Sequence, residues 1–179
     1  MGRSQRNVVV TGANSGIGLE TAVALARHGD RVLIACRNPD KASAAVADIR
    51  ARAESIDVDS VTLDLASFDS IHAAAAEIAR EMPRLDVLVN NAGLILSERS
   101  ETVEGFEATF GTNHLGPFLL TKLLESPLSA AGAAGGARVI NVASLAHWAA
   151  VRGMRFADLQ TTGLYIGWEV YARSKLANI

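Results

Sequence analysis

The octapeptide Thr11-Gly12-Ala13-Asn14-Ser15-Gly16-Ile17-Gly18 constrains this chain more than any other feature. It joins a β-branched run, Val8 to Val10, to a stretch in which Ile17, Thr21, Ala24, Leu25 and His28 recur at helical spacing. A strand that enters a helix through three glycines brings bare backbone N–H groups to the positive end of that helix, where a pyrophosphate can sit. The spacing is G-x-x-x-G-x-G, distinct from the general G-x-G-x-x-G fingerprint. A glycine-rich turn can also be no more than a structural cap, so its meaning depends on the elements beyond the first helix.

Gly29 and Asp30 close that helix, and Arg31 to Cys36 reads as a second strand. Pro39 then opens an alanine-rich helix that runs to about Ala53. A strand near Val58 to Leu65, a helix from Ser67 to Arg80 and a strand from Leu85 to Asn90 repeat the alternation. A longer helix is expected from about Thr102 to Leu124, with Pro117 forcing a bend near Asn113. The small-residue run Ala130 to Gly136 reads as flexible, Arg138 to Val142 as a fifth strand, and Trp168 to Ile179 as helical, while Leu145 to Gly167 has weak periodicity. Alternation of this kind predicts a doubly wound α/β fold of Rossmann type, a mostly parallel sheet covered on both faces by helices.

At 179 residues, 49% hydrophobic, the chain has enough apolar material for one domain core and too little length for two. A net charge of −2 with both signs scattered leaves no basic face for a phosphate backbone, which argues against nucleic-acid binding. No stretch approaches the roughly 20 apolar residues of a membrane span, and Met1 to Asn7 has no signal-peptide character. A soluble, cytoplasmic protein is expected. Cys36, the single cysteine, reads as a buried strand residue, and His28, His72, His114 and His147 lack ligand spacing, so no metal site is expected.

In NAD-binding sheets an acidic residue about 20 positions beyond the glycines holds the ribose 2′-hydroxyl. Here Arg37 stands 19 positions after Gly18, preceded by Cys36, and no carboxylate is present. A guanidinium there pairs with a 2′-phosphate and favours NADP, with NAD the alternative; a plain solvated loop residue is the competing reading of Arg37. Tyr171 and Lys175 are four apart and share one helical face. A free phenol, with a pKa of about 10, is no base near neutrality, and a neighbouring ammonium favours its phenolate. Such pairs are common by chance, so company matters. Asn90-Asn91-Ala92-Gly93 follows the fourth strand, Asn113 lies within Thr112-Asn113-His114-Leu115-Gly116, and Ser144 follows the fifth strand. The carboxyl ends of the strands form the ligand crevice of a doubly wound sheet, so these positions converge on one edge.

With these motifs the chain resembles the short-chain dehydrogenase/reductase family over essentially all of its 179 residues. Ala35-Cys36-Arg37-Asn38, Leu63-Asp64-Leu65-Ala66-Ser67, Asn113-His114-Leu115-Gly116 and Val142-Ala143-Ser144-Leu145-Ala146-His147 resemble its retinol dehydrogenase-like and WW-domain oxidoreductase-like branch. The interval of 27 residues from Ser144 to Tyr171 agrees with that branch. The resemblance implies an oxidoreductase that moves a hydride between NADP(H) and an alcohol, aldehyde or ketone. It implies that Tyr171 exchanges the proton, Lys175 lowers the tyrosine's pKa and holds the nicotinamide ribose, Ser144 orients the carbonyl, and Asn113 positions a relay water. It places Gly12, Ser15, Ile17 and Gly18 at the pyrophosphate, Arg37 at the adenosine ribose, Asp64 and Leu65 at the adenine, and Asn91 and Gly93 along the adenosine side of the floor. Tyr171 and Lys175 also touch the cofactor. For Asp64, the alternative is a cap for the helix that begins near Ser67.

Tyr165 lies near the expected mouth of the site, but the residue four beyond it is Glu169, so Tyr171 is preferred. Trp148 and Trp168 either border the substrate pocket or pack. Family members continue through two further strands, whereas four residues follow Lys175 here. The expectation is therefore one nucleotide-binding domain over 1–179, incomplete at its carboxyl end, with apolar sheet edge and helix face exposed. Two other functions compete. One is a catalytically inactive, truncated nucleotide-binding module, which would bind cofactor without turnover. The other is a sugar-nucleotide epimerase or dehydratase, whose relatives share the Tyr/Lys pair but more often carry G-x-x-G-x-x-G. A homo-oligomer is compatible with the family pattern.

Overall fold

The computed structural model describes residues 5–133 and 135–179. Met1 to Ser4, at the start of the amino-terminal stretch, and Ala134 of the small-residue run lie outside the described residues. In chain order the elements are β1 (Asn7–Thr11), α1 (Gly16–Arg27), β2 (Arg31–Cys36), α2 (Pro39–Ala53), β3 (Val58–Thr62), α3 (Phe68–Glu81) and β4 (Val87–Asn90). There follow α4 (Ala108–Phe110), a π turn (Gly111–Leu115), α5 (Gly116–Leu123), α6 (Glu125–Ala133), β5 (Arg138–Asn141) and α7 (Gly167–Leu176). All five strands are parallel in the order β3-β2-β1-β4-β5, the doubly wound sheet that the alternation predicts.

The alternation of strand side chains sorts the core into two halves. Val9 packs with Leu33 and Leu88 against α3 and α5 through Ile71, Ile78 and Leu120. Val8 and Val10 pack with Val32, Ile34, Val87 and Val89 against α1 and α2 through Ala22, Val23, Ala26 and Ile49. β1 is thus buried on both faces, which is why its sequence is an unbroken valine run instead of an alternating one. The helix α2 begins where Asn38 accepts a hydrogen bond from Lys41 N and Pro39 occupies the first turn. At the far edge, β5 leaves all four of its residues exposed, with Val139 at 42% and Ile140 at 47%.

Two expectations need correction. The long helix does not start at Thr102, because Gly105 adopts φ +83° and residues 101–107 close a tight turn with an antiparallel bridge between Glu101 and Glu107. The helix starts instead at Ala108, where the Glu107 carboxyl accepts from Thr109 N at 2.8 Å and Phe110 N at 2.6 Å. It then widens into the π turn that contains Asn113, so the disturbance expected near Asn113 is a widened turn just ahead of Pro117. The run expected to be flexible is helical through Ala133, and Ala131 is fully buried.

The weakly periodic stretch from Leu145 to Gly167 forms short turns fastened from two sides. Arg173 of α7 donates from Nη1 to Asp158 O at 3.2 Å and from Nη2 to Thr161 Oγ1. The Tyr165 hydroxyl donates to Glu107 Oε1 at 3.0 Å and lies 3.3 Å from Thr109 Oγ1, so this tyrosine is engaged in packing. Glu107 is fully buried. Tyr165→Phe is therefore expected to lower unfolding stability by about 1–2 kcal/mol in a urea titration, because Glu107 loses a partner it cannot replace with water. An unchanged midpoint would mean that the hydroxyl contributes nothing.

Candidate active site

The connections from β1 and β4 leave in opposite directions, which opens a crevice at the carboxyl ends of these neighbouring strands. The glycine-rich turn is built against the Asn91-Ala92 segment that follows β4. Gly12 has φ +66°, and a Cβ there would stand 2.9 Å from Ala92 Cα. A Cβ at Gly18 would meet Gly12 O at 2.7 Å and press on the Asn91 amide. Asn91 Nδ2 donates to Thr11 O at 2.9 Å, and the backbone N–H groups of Asn91 and Ala92 both donate to Thr11 Oγ1 at 3.0 Å. Asn91 thus clamps the turn. Thr11 is its counterpart, and the sequence offers no signal for it beyond a strand threonine. The start of α1 has no acidic residue in its first turn, and Ser15 makes no side-chain capping bond, so the N–H groups and positive end of the helix are uncompensated.

Gly12, Arg37, Asp64, Leu65 and Gly93 border one cleft, with Asn14 and Thr112 also lining it. Arg37 is exposed, and among the described residues its guanidinium has no protein partner. Asp64 is not the helix cap: Ser67 accepts from Ser70 N at the start of α3, while Asp64 Oδ1 accepts from Ala66 N at 2.9 Å in a local turn. Cys36 is buried, and burial pushes its thiol above the ordinary range, as suits an inert strand residue.

A second cleft is bordered by Ile17, Ser144, Tyr171 and Lys175, and shares Gly93 and Leu94 with the first. The two therefore run together along the sheet edge. Lys175 is buried; its Nζ donates to Val142 O at 2.9 Å and lies 5.7 Å from the centre of the Tyr171 ring. Burial pushes the Lys175 ammonium below its usual range. Ser144 Oγ accepts from Ala146 N at 3.1 Å, which leaves the hydroxyl hydrogen free to donate to a ligand oxygen. Trp168 packs its ring 5.8 Å from that of Tyr171, whereas Trp148 is 75% exposed. A phenol, an ammonium and a hydroxyl donor at one end of a continuous cleft can deliver or remove a proton at a bound oxygen.

Asn113 is 1% exposed and its side chain is fully engaged. Oδ1 accepts from Leu94 N at 2.8 Å, and Nδ2 donates to Leu94 O at 2.8 Å and to Ser174 Oγ at 2.9 Å. Ser174 in turn donates to Tyr171 O at 2.7 Å. The amide of Asn113 thus ties the loop after β4 to the helix carrying Tyr171 and Lys175. Gly93 sits in the same corner, where a Cβ would come 3.3 Å from both Asn113 Oδ1 and Lys175 Nζ.

Among known proteins, the family model described as short chain dehydrogenase matches residues 6–155. Mouse retinol dehydrogenase 12 is 46% identical over 172 residues, which is 96% of this chain and 53% of that protein. Human retinol dehydrogenase 13 is 46% identical over 173 residues, 96% of this chain and 51% of that protein. The chain thus spans about half the length of these curated relatives. Of solved structures, an uncharacterized protein from Mycobacterium paratuberculosis superposes with a TM-score of 0.83 at 40% identity, covering 98% of this chain and 59% of that one. A metagenomic short-chain oxidoreductase in complex with NADP gives a TM-score of 0.73 at 29% identity, covering 97% and 71%. Among the described residues no helix is long and apolar enough to cross a membrane.

Proposed function

The chain belongs to the short-chain dehydrogenase family, in its retinol dehydrogenase-like branch, and on that footing we propose that it transfers a hydride between NADP(H) and an alcohol, aldehyde or ketone. The observation that carries this reading is the meeting of the two clefts at Gly93 and Leu94, so that one extended ligand can touch both Arg37 and Tyr171. The residues present fit a dinucleotide. The uncompensated start of α1 at Ser15 and Ile17, on a turn that Gly12 and Gly18 allow to pack tightly against Ala92 and Asn91, suits a pyrophosphate. Arg37 would pair with a 2′-phosphate, Asp64 and Leu65 would border the adenine, and Asn91 and Gly93 would form the floor.

When bound, the nicotinamide supplies or accepts the hydride. The chain's own groups manage the oxygen. Tyr171 gives its phenolic proton to a carbonyl oxygen, or takes one from a hydroxyl in the reverse direction, while Ser144 donates a hydrogen bond to the same oxygen. Lys175 is held near Tyr171 and can exchange the Val142 carbonyl for a ribose hydroxyl. Asn113 keeps Tyr171 in place through Ser174 and the loop at Leu94. The exposed Trp168 ring against Tyr171 suits an apolar substrate, and the relatives named retinol dehydrogenases favour a lipophilic alcohol. A second reading is a nucleotide-binding module without turnover, favoured by the protein partners that already occupy Lys175 and Asn113.

Titration of the chain with NADPH and NADH, with and without Arg37→Ala, tests the cofactor preference. The expected result is tighter binding of NADPH, with a loss of about tenfold to a hundredfold in the variant, the size of a charge-assisted hydrogen bond, and little change for NADH. Equal affinity for both cofactors in the unaltered chain would contradict it. NADPH-dependent reduction of a long-chain aldehyde separates the enzyme from the inactive module.

A further inference from the structure

Asn113 lies in the π turn, where carbonyls accept from the N–H five residues on, as Gly111 O does from Gly116 N–H, and beyond it the register tightens to the α-helical four of α5. Pro117, which has no N–H to give, falls at this change of register, four residues after Asn113 and five after Thr112. Asn113 is buried, so leaving its carbonyl unpaired is costly. A donor for it comes from far along the chain, where Asn178 Nδ2 donates to Asn113 O at 2.9 Å. The oxygen of the same amide stands 2.9 Å from His114 Nδ1. A carbonyl can only accept, so the amide nitrogen must face Asn113 and the amide oxygen must face the imidazole. His114 Nδ1 must then carry the hydrogen of that bond.

Asn178 follows α7 closely, its own N–H reaching Lys175 O at 3.3 Å. It therefore connects the end of the helix bearing Tyr171 and Lys175 to the π turn bearing Asn113. Ser174 makes a second connection one turn earlier, through the Asn113 side chain. Backbone and side chain of one asparagine are thereby tied to α7 at separate levels.

We infer that Asn178 is a positioning residue that donates to the Asn113 carbonyl and sets the π turn of Asn113 in register with the helix carrying Tyr171 and Lys175. The inference rests on the reading of those residues as the acid–base group, but its geometry does not depend on turnover.

The test uses the whole chain labelled with nitrogen-15. In the unaltered protein the neutral His114 ring is expected in the Nδ1–H form. Asn178→Asp keeps the size of the side chain and can still accept from His114, but it cannot donate to the Asn113 carbonyl. It should retain the Nδ1–H signature, shift the Leu94 amide resonance and weaken NADPH binding about tenfold, the loss expected for one buried hydrogen bond. The proposal is overturned by an Nε2–H ring at His114 or by an Asn178→Asp variant whose Leu94 resonance and affinity are unchanged. No binding of any nicotinamide cofactor by the unaltered chain would defeat the active-site reading instead, while the His114 ring form and the Leu94 resonance would still decide the role of Asn178.

Discussion

Tyr171→Phe is expected to lower kcat for aldehyde reduction by about 10²–10⁴-fold, the contribution of a positioned general acid–base group, while NADPH affinity changes little. The substitution removes only the phenolic oxygen. The ring keeps its place beside Trp168, with Lys175 Nζ near its face, and the backbone carbonyl of residue 171 still accepts from Ser174. A fall in kcat and kcat/KM together, with binding preserved, is the pattern of a group that acts in the transition state. Tyr165→Phe provides the contrast, because the Tyr165 hydroxyl is engaged with Glu107 and Thr109 and does not border the cleft with Ser144 and Lys175. A loss of activity in the Tyr165 variant that matched the Tyr171 variant would remove the basis for choosing between them.

The second large effect is expected from Gly18→Ala, which should abolish measurable NADPH binding and lower stability by about 1–3 kcal/mol, the cost of overpacking. The added methyl would meet Gly12 O at 2.7 Å and Ala13 Cα at 3.0 Å. Both are backbone atoms of the turn, so relief requires the turn itself to open. Opening it also disturbs the Asn91 clamp on Thr11. Gly16→Ala is the control within the same motif. Gly16 has φ +56° but nothing within 4 Å of the added carbon, so the change carries only left-handed backbone strain of roughly 1–2 kcal/mol. Thermal or urea unfolding combined with NADPH titration should therefore separate two glycines that look alike in the motif. Equal losses of affinity at both positions would show that conformational freedom, and not close packing, is what the turn requires.

The sheet was legible because its information is local. The valine run of β1, the asparagine and proline that start α2, and the alternation of strands with helices each declare themselves within a few residues. The convergence of Asn91, Asn113, Ser144, Tyr171 and Lys175 followed from topology, since parallel strands place their carboxyl ends on one edge. The broken helix was harder. Gly105 gave no warning that residues 101–107 would close a turn, and a π turn has no period that distinguishes it from an α-helix over so short a stretch. The bonds that shape the site were hidden for a different reason. Thr11 meets Asn91 across 80 residues, and Asn178 meets Asn113 across 65, so neither partner carries a local signature. The same distance explains why Asn113 could be singled out from its motif while the complete engagement of its side chain could not.

The most direct test of the account is a reaction of the 179-residue chain with an aldehyde and NADPH carrying deuterium at the transferable position of the nicotinamide. An alcohol with deuterium on the former carbonyl carbon is expected, formed by the unaltered chain and suppressed by Tyr171→Phe. Saturating cofactor binding with no deuterium in any alcohol product would contradict it, and would leave a nucleotide-binding module in place of an oxidoreductase.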